Sequence, residues 1–398
     1  MTGIADTAHH RSIETQLASR PDPAIAPPYS FVDEQRALDT AVAALACSLT
    51  VGVDTEADSR HHYPEKVCLL QLSNGEQTYL VDTLAGLDYG ALGRLFLDAS
   101  VRKVLHGGDF DLRGLHRDFG FTFANCYDTS IAARFAGIER VGLASLLEEL
   151  LEVRIPKDQR LRRADWSRRP LEEDALVYAA SDVVHLPTLC DVLDERLRAL
   201  GRESWVAEER ERLTEIRYVP PDPEIAWLSV KGAHVLDGRG LAVLKPLYEF
   251  REAEALRLNR PPGYVLPAHA LVHLAAHPET AMEDVPGISP TLVRRYGRGV
   301  RASIKAGVAS PPLQRPRPPQ PLFPRMTKFE SARLTQLKRW RANLGAELEV
   351  DPSILWPMRS LERLARAPGS LDAECASAEV RVWQRERFAA SLRRELGM

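Results

Sequence analysis

Residues 50–73 read TVGVDTEADSRHHYPEKVCLLQLS, and both ends of this stretch carry strand patterns. Val51, Val53 and Thr55 alternate with Gly52, Asp54 and Glu56, and the closing VCLLQLS is rich in aliphatic residues. Asp54 and Glu56 stand two apart, so on a strand their side chains leave the same face. Two carboxylates side by side on an apolar strand repel each other and are costly to desolvate unless a cation lies between them. The alternative is a strand that ends before them and leaves both in water. This stretch alone does not decide.

Working outward, residues 50–55, 67–73, 78–82 and 101–106 read as strands, the third following the turn-forming Ser73-Asn74-Gly75. Helical periodicity covers 34–46, 109–119, 128–136, 143–151 and 171–200. A strand meander followed by alternating strands and helices predicts an α/β domain, a mixed sheet flanked by helices.

The chain of 398 residues exceeds what one core organises, so several domains are expected. Its balance is that of a soluble globular protein, 44% hydrophobic and 27% charged. With 52 basic against 55 acidic residues, any phosphate-binding surface must be a local cluster. Cys47, Cys68, Cys126, Cys190 and Cys375 are scattered, which excludes the usual thiolate zinc sites and argues for a reducing compartment. No basic-then-apolar leader and no apolar run of about 18 residues is evident, so a cytoplasmic protein without a membrane span is expected.

Residues 1–28 are polar and proline-bearing and read as a disordered lead-in. Residues 29–217 form the α/β domain. Beyond about residue 225 the pattern is helical and repeats itself. A shift of ninety positions aligns Leu247, Phe250-Arg251, Leu258, Pro262, Pro267 and Leu271 with Leu337, Trp340-Arg341, Leu348, Pro352, Pro357 and Leu361. Two small helical domains are therefore expected at 225–308 and 326–398. Between them, residues 309–325 are proline-rich and read as a stiff, extended spacer.

Further acids lie in the α/β region. Asp111 in VLHGGDFDLRGL falls early in a helix after a strand and a Gly-Gly turn, while Asp109 suits the helix N-cap. In LVYAASDVVHL, Tyr178 and Asp182 lie four apart on one face of an apolar helix, where a buried acid needs a partner. A Tyr–Asp hydrogen bond at the core edge is the plainer account. Residues 154–169 (RIPKDQRLRRADWSRR) hold seven basic residues beside Asp158 and Asp165. Lys157, Arg160, Arg162 and Arg163 lie upstream of the Tyr178 helix and can reach phosphates. Trp166 is either a stacking surface or a core plug, the second reading being favoured. Ser289 caps and Pro290 opens a helix carrying Arg294, Arg295, Arg298, Arg301 and Lys305, a basic stripe suited to a nucleic-acid backbone or an ordinary charged face. Trp340, matching Phe250, reads as core. His269, His273 and His277 share helical spacing without accompanying acids, which argues for a partly exposed face and against zinc.

Taken together, DTE on an early strand, LHxxxxDL after a later one and YxxxD on a late helix resemble the DEDDy 3′-to-5′ exonucleases, and most of all the ribonuclease D family. VGVDTEAD, HHYPEKVCLLQLS, KVLHGGDFDL, YDTSIAARF, DWSRRPL and YAASDV all look like segments of that family, and the helical repeats resemble HRDC domains. Ala57 and Phe110 depart from its pattern, the first standing where an aromatic is common and the second where an acid is frequent. The resemblance implies a ribonuclease-H-like exonuclease domain with two HRDC domains. It implies Asp54, Glu56, Asp111 and Asp182 as ligands of two divalent cations, Mg2+ or Mn2+, with Asp54 bridging. Tyr178 would orient the nucleophile. Tyr63 and Gln71, with His62, would meet the terminal nucleotide, although Tyr63 before Pro64 equally suits packing. The implied partner is RNA, tRNA precursors above all, acted on by a monomer that releases nucleoside monophosphates. Single-stranded DNA is the competing substrate, and a non-catalytic nucleic-acid-binding scaffold the competing class.

Overall fold

The computed structural model describes residues 27–155, 158–315 and 325–398; Lys157, most of the lead-in and the middle of the proline-rich stretch lie outside them. Six strands form one mixed sheet: β1 (Tyr29–Val32), β2 (Thr50–Ala57), β3 (Val67–Ser73), β4 (Thr78–Asp82), β5 (Arg102–Leu105) and β6 (Cys126–Asp128), in the order β1-β4-β3-β2-β5-β6. β3 runs antiparallel to both β2 and β4, and the tight link to β4 is set by Gly75 (φ 92°) and by the Asn74 side chain accepting from the Gln77 N–H at 2.8 Å. Strands β1 and β6 are too short to show a period and were not expected from the sequence.

The helices of this domain are α1 (Gln35–Ala46), α2 (Gly90–Leu97), α3 (Asp109–Phe119), α4 (Thr129–Phe135), α5 (Leu143–Leu151), α6 (Glu173–Val183), α7 (Leu186–Ala199) and α8 (Glu203–Thr214). Where one helix was expected over 171–200 there are two. Pro187 has no N–H to offer the Val183 carbonyl, so the hydrogen-bond ladder breaks there. The stretch Glu173–Ala199 is apolar enough to match a membrane span by composition, with mean hydropathy 1.3 in its richest window. More than half of that window is buried, as expected of helices laid against a sheet. Asp109 is not an N-cap. Gly108 occupies that place, and Asp109, the first helical residue, reaches the Arg113 guanidinium at 2.8 Å on the surface.

Beyond the sheet, α9 (Gly238–Leu258), α10 (Pro262–Val265), α11 (Ala268–Ala276) and α12 (Pro290–Ala309) form a first helical unit. A second follows in α13 (Lys328–Leu348), α14 (Pro352–Leu355), α15 (Met358–Arg366), α16 (Leu371–Cys375) and α17 (Val382–Glu395). The ninety-residue shift holds residue for residue from α9 to α11 and from α13 to α15. It extends to the left-handed caps, Asn259 at φ 49° and Glu349 at φ 51°. The proline-rich stretch is not wholly a free spacer. Leu313 packs on the first unit's core and its N–H donates to the Gly238 carbonyl at 2.9 Å.

Both units are docked on the α/β domain. The loop between β2 and β3 reaches the first unit: the Tyr63 hydroxyl donates to the Glu252 carboxylate, and the Tyr63 N–H donates to Asn259 Oδ1 at 3.1 Å. The second unit shares one continuous hydrophobic core with α4, α7 and α8. There the Trp205 and Trp383 rings stack at 4.6 Å and 15°, a contact of about 0.5–1.5 kcal/mol beyond the area it buries. Glu208 accepts the Val382 N–H at 2.8 Å, and Arg381 pairs with Glu209.

Candidate active site

The register of β2 creates the site. It pairs with β5 only over Thr50–Gly52, after which β5 ends and the chain turns through His106–Gly108 into α3. From Val53 onward that edge of β2 faces a cleft, the usual place for a ligand in a sheet whose neighbouring strands diverge. Gly52, Asp54 and Glu56 share one face, and α6 lies over it. A Cβ at Gly52 would stand 2.7 Å from the Val183 carbonyl oxygen and 3.1 Å from Leu186 Cβ. The absent side chain thus lets the end of α6 settle onto the strand, and Asp182, next to Val183, comes down beside Asp54.

One oxygen from each of Asp54, Glu56 and Asp182 lies within 4.8 Å of the others. Asp111 stands alongside, 7% exposed, with its carboxylate turned to accept the Thr55 hydroxyl. It is therefore in the cluster's field without joining the tightest trio. Burial and the neighbouring charges of Asp111, Asp182 and Glu56 push the Asp54 carboxyl well above the usual carboxylate range. Burial, Asp182 and Asp111 do the same to Glu56, with Arg162 opposing them. Burial pushes Asp111 and Asp182 up to about 6, against the hydrogen bonds they receive from Thr55 and Tyr178. Tyr178, hydrogen-bonded to Asp182, is pushed well above the ordinary phenol range by burial and then by Asp182 and Glu56. Such a group of acids repels itself when ionised, and a positive partner relieves that repulsion. Its donors are all hard oxygens, the set that suits a divalent cation of the magnesium kind.

The cleft encloses about 470 Å³ and is lined by Asp54, Tyr178, Asp182, Arg162, His106 and the 142–145 turn, among others. Of the expected substrate-binding residues, Arg162 lies here. Arg163 is exposed nearby. Arg160 is exposed and forked onto Asp158. Trp166 is buried, 1% exposed, so it is core. Two expectations change. Gln71 lies opposite Asp54 in the sheet and is 0% exposed, so it is not open to a nucleotide in this structure. Tyr63 is spent on the first helical unit through Glu252 and Asn259.

On α12, Arg294, Arg295, Arg298, Arg301 and Lys305 are exposed. Among the described residues no carboxylate pairs with Arg294, Arg298, Arg301 or Lys305. Ser289 caps this helix, and Trp340 is core at 8% exposure. His269 and His277 are exposed and His273 half-buried, in a groove without an accompanying acid cluster.

One further residue shapes the site, and its role is not evident from sequence reasoning. Asp128, buried at the N-cap of α4, accepts the backbone N–H groups of Gly107 (3.1 Å) and Gly108 (2.9 Å) as well as Ser130. It fixes the turn that delivers Asp111, where Gly107 sits at φ 69°. An acid before Thr-Ser at a helix start was the available signal.

Residues 29–198 match the profile of a 3′-5′ exonuclease domain, and residues 240–304 that of the HRDC domain. A ribonuclease D from Gluconacetobacter diazotrophicus is 34% identical over 80% of this chain and 81% of its own length. The chain belongs to the ribonuclease D family. A second ribonuclease D, from Acidiphilium cryptum, is 31% identical over 87% and 88% of the two chains. Among solved structures, Escherichia coli RNase D, described as an exoribonuclease involved in structured RNA processing, superimposes with a TM-score of 0.69 at 26% identity. That match covers 93% of this chain and 99% of the other. The RRP6 catalytic core from Trypanosoma brucei gives 0.62 at 26% identity, covering 71% and 80%. As a ribonuclease D, the chain is a hydrolytic 3′-to-5′ exoribonuclease, and family and acid cluster together point to divalent-metal use.

Proposed function

We propose that this ribonuclease D works with two divalent ions, Mg2+ or Mn2+, held by Asp54, Glu56, Asp111 and Asp182, and that it trims the 3′ ends of tRNA precursors and other structured RNAs. The observation that carries the reading is the meeting of Asp54, Glu56 and Asp182 within 4.8 Å, with Asp111 beside them. When bound, such ions supply an activated water and stabilise charge on the leaving 3′ oxygen. By the family resemblance, Asp54 would be the ligand shared between them. Asp111 would join them by giving up the hydrogen bond it now accepts from Thr55. Tyr178 stays protonated at every working pH, so it orients the nucleophile and steadies Asp182 instead of taking a proton. Arg162 meets the scissile or neighbouring phosphate, and Arg160 and Arg163 extend the positive approach. The α12 stripe grips the RNA backbone farther along. The second helical unit is proposed as a second HRDC domain, with residues 29–217, 225–308 and 326–398 as the three domains. The enzyme is proposed to act as a cytoplasmic monomer.

End-labelled RNA and DNA incubated with purified protein, with Mg2+ or with chelator, test this. Metal-dependent release of nucleoside monophosphates from RNA in preference to DNA is expected. Binding without release, in any metal, would leave a scaffold and overturn the proposal.

A further inference from the structure

His106 lines the same cleft as Asp54, Tyr178 and Asp182, and the hydrogen bonds behind it fix its tautomer. The Thr129 hydroxyl has one hydrogen and donates it to the Leu105 carbonyl at 3.0 Å. Its oxygen can therefore only accept from His106 Nδ1, 2.9 Å away. In the neutral ring Nδ1 then carries the proton and Nε2 is a bare lone pair. Burial lowers the affinity of this ring for a second proton, against the opposing charge of Asp128. Among the described residues nothing pairs with Nε2. Asp128 does not compete for it, being occupied by Gly107, Gly108 and Ser130.

A lone pair at that edge selects what it meets. Phosphate oxygens carry no hydrogen and are repelled. Base N–H groups lie in different places on the four nucleotides, and an enzyme that removes each nucleotide in turn cannot depend on one of them. The donors that every 3′-terminal ribonucleotide presents in one place are its ribose hydroxyls. At about 470 Å³ the cleft lies within the ~300–1,000 Å³ that ligand sites occupy, room for one such nucleotide.

We infer that His106 Nε2 accepts a hydrogen bond from a ribose hydroxyl of the 3′-terminal nucleotide, making His106 a specificity-determining residue of the site. The inference rests on the exoribonuclease reading above and adds a residue by which the enzyme recognises its substrate's sugar.

The test compares kcat/KM on oligoribonucleotides of one sequence ending in ribose, 2′-deoxyribose or 3′-deoxyribose, for wild type, His106→Leu and His106→Gln. Wild type should lose about tenfold when the contacted hydroxyl is removed; the 2′ and 3′ arms show which one it is. In His106→Leu that loss should shrink toward onefold because the partner is gone. His106→Gln, which can offer an amide oxygen, should recover part of the discrimination, showing that a fold defect is not the cause. An undiminished ratio in His106→Leu, or an equal slowing on all three ends, would overturn the inference while leaving the exoribonuclease reading intact. No degradation of any RNA by wild type would remove both.

Discussion

A Cβ on Gly52 would lie 2.7 Å from the carbonyl oxygen of Val183, well inside the closest approach that real side chains make. That carbonyl is free to press on the strand because Pro187, four residues on, has no N–H to claim it. Gly52→Ala should therefore lift the end of α6 and carry Asp182 away from Asp54. We expect turnover to fall by about 10²-fold, since an ångström of misplacement in a reacting site costs on that order. The melting temperature should fall by only a few degrees. Steady-state kinetics beside a thermal melt decide; full activity would show that α6 adjusts without moving the acid.

Stability should depend on the crowded carboxyls with a definite sign. Asp111 and Asp182 hold protons up to about pH 6 in the folded protein, against about 3.9 when unfolded. The stabilisation from their protonated forms is complete below pH ~4 and is lost as pH rises through 6. Metal-free Asp182→Asn should accordingly melt a few degrees above metal-free wild type at pH 8, with the gap closing toward pH ~4–5. Added Mg2+ or Mn2+ should raise the wild-type midpoint at pH 8 and leave the variant's nearly unchanged. Calorimetry in chelator and in metal measures both; a gap that is constant with pH would refute the protonation argument.

Tyr178→Phe and Asp182→Asn should not be equivalent. The first removes a hydrogen bond to Asp182 and an orienting hydroxyl, and about 10- to 100-fold of kcat should go with it. The second removes an oxygen donor from the trio and should abolish measurable turnover. Equal losses would mean that the phenol itself takes a proton, against the strong upward displacement of its pKa.

Neutralising the α12 stripe should act on grip and leave chemistry alone. Arg294→Ala combined with Arg298→Ala removes two exposed cations that have no carboxylate partner among the described residues. KM for long RNA should rise several-fold at unchanged kcat. The slope of log affinity against log salt should fall by about 0.7 for each phosphate that the protein no longer neutralises. A salt slope equal to that of wild type would place the RNA elsewhere.

Much of this architecture could be read from residue patterns. The DTE strand, the glycine turn before Asp111 and the Tyr178–Asp182 spacing are all local, and strand and helix periods place them directly. The ninety-residue repeat survives in space because it is carried by packing leucines and by prolines at helix starts. What escaped was non-local. Strand β1 is four residues long and owes its existence to the partner it finds in β4. Gln71 looks polar and available in the sequence, but the sheet position opposite Asp54 lies beneath α6, and it is sealed there. Tyr63 bonds a residue 189 positions away, which no window of sequence can show. Asp109 misses the cap by one place, because the helix begins where Asp128 pins the preceding turn.

The ring stack of Trp205 on Trp383 also bears on how the chain can be divided. A protein ending near residue 325 would present to water the faces of Phe135, Trp205 and Val206 that α17 and its neighbours now cover. The first helical unit meets the nuclease through the loop that carries Tyr63. The second shares its core with the nuclease, so shortening the polypeptide from its carboxyl end should destabilise the nuclease as well as loosen any hold on RNA.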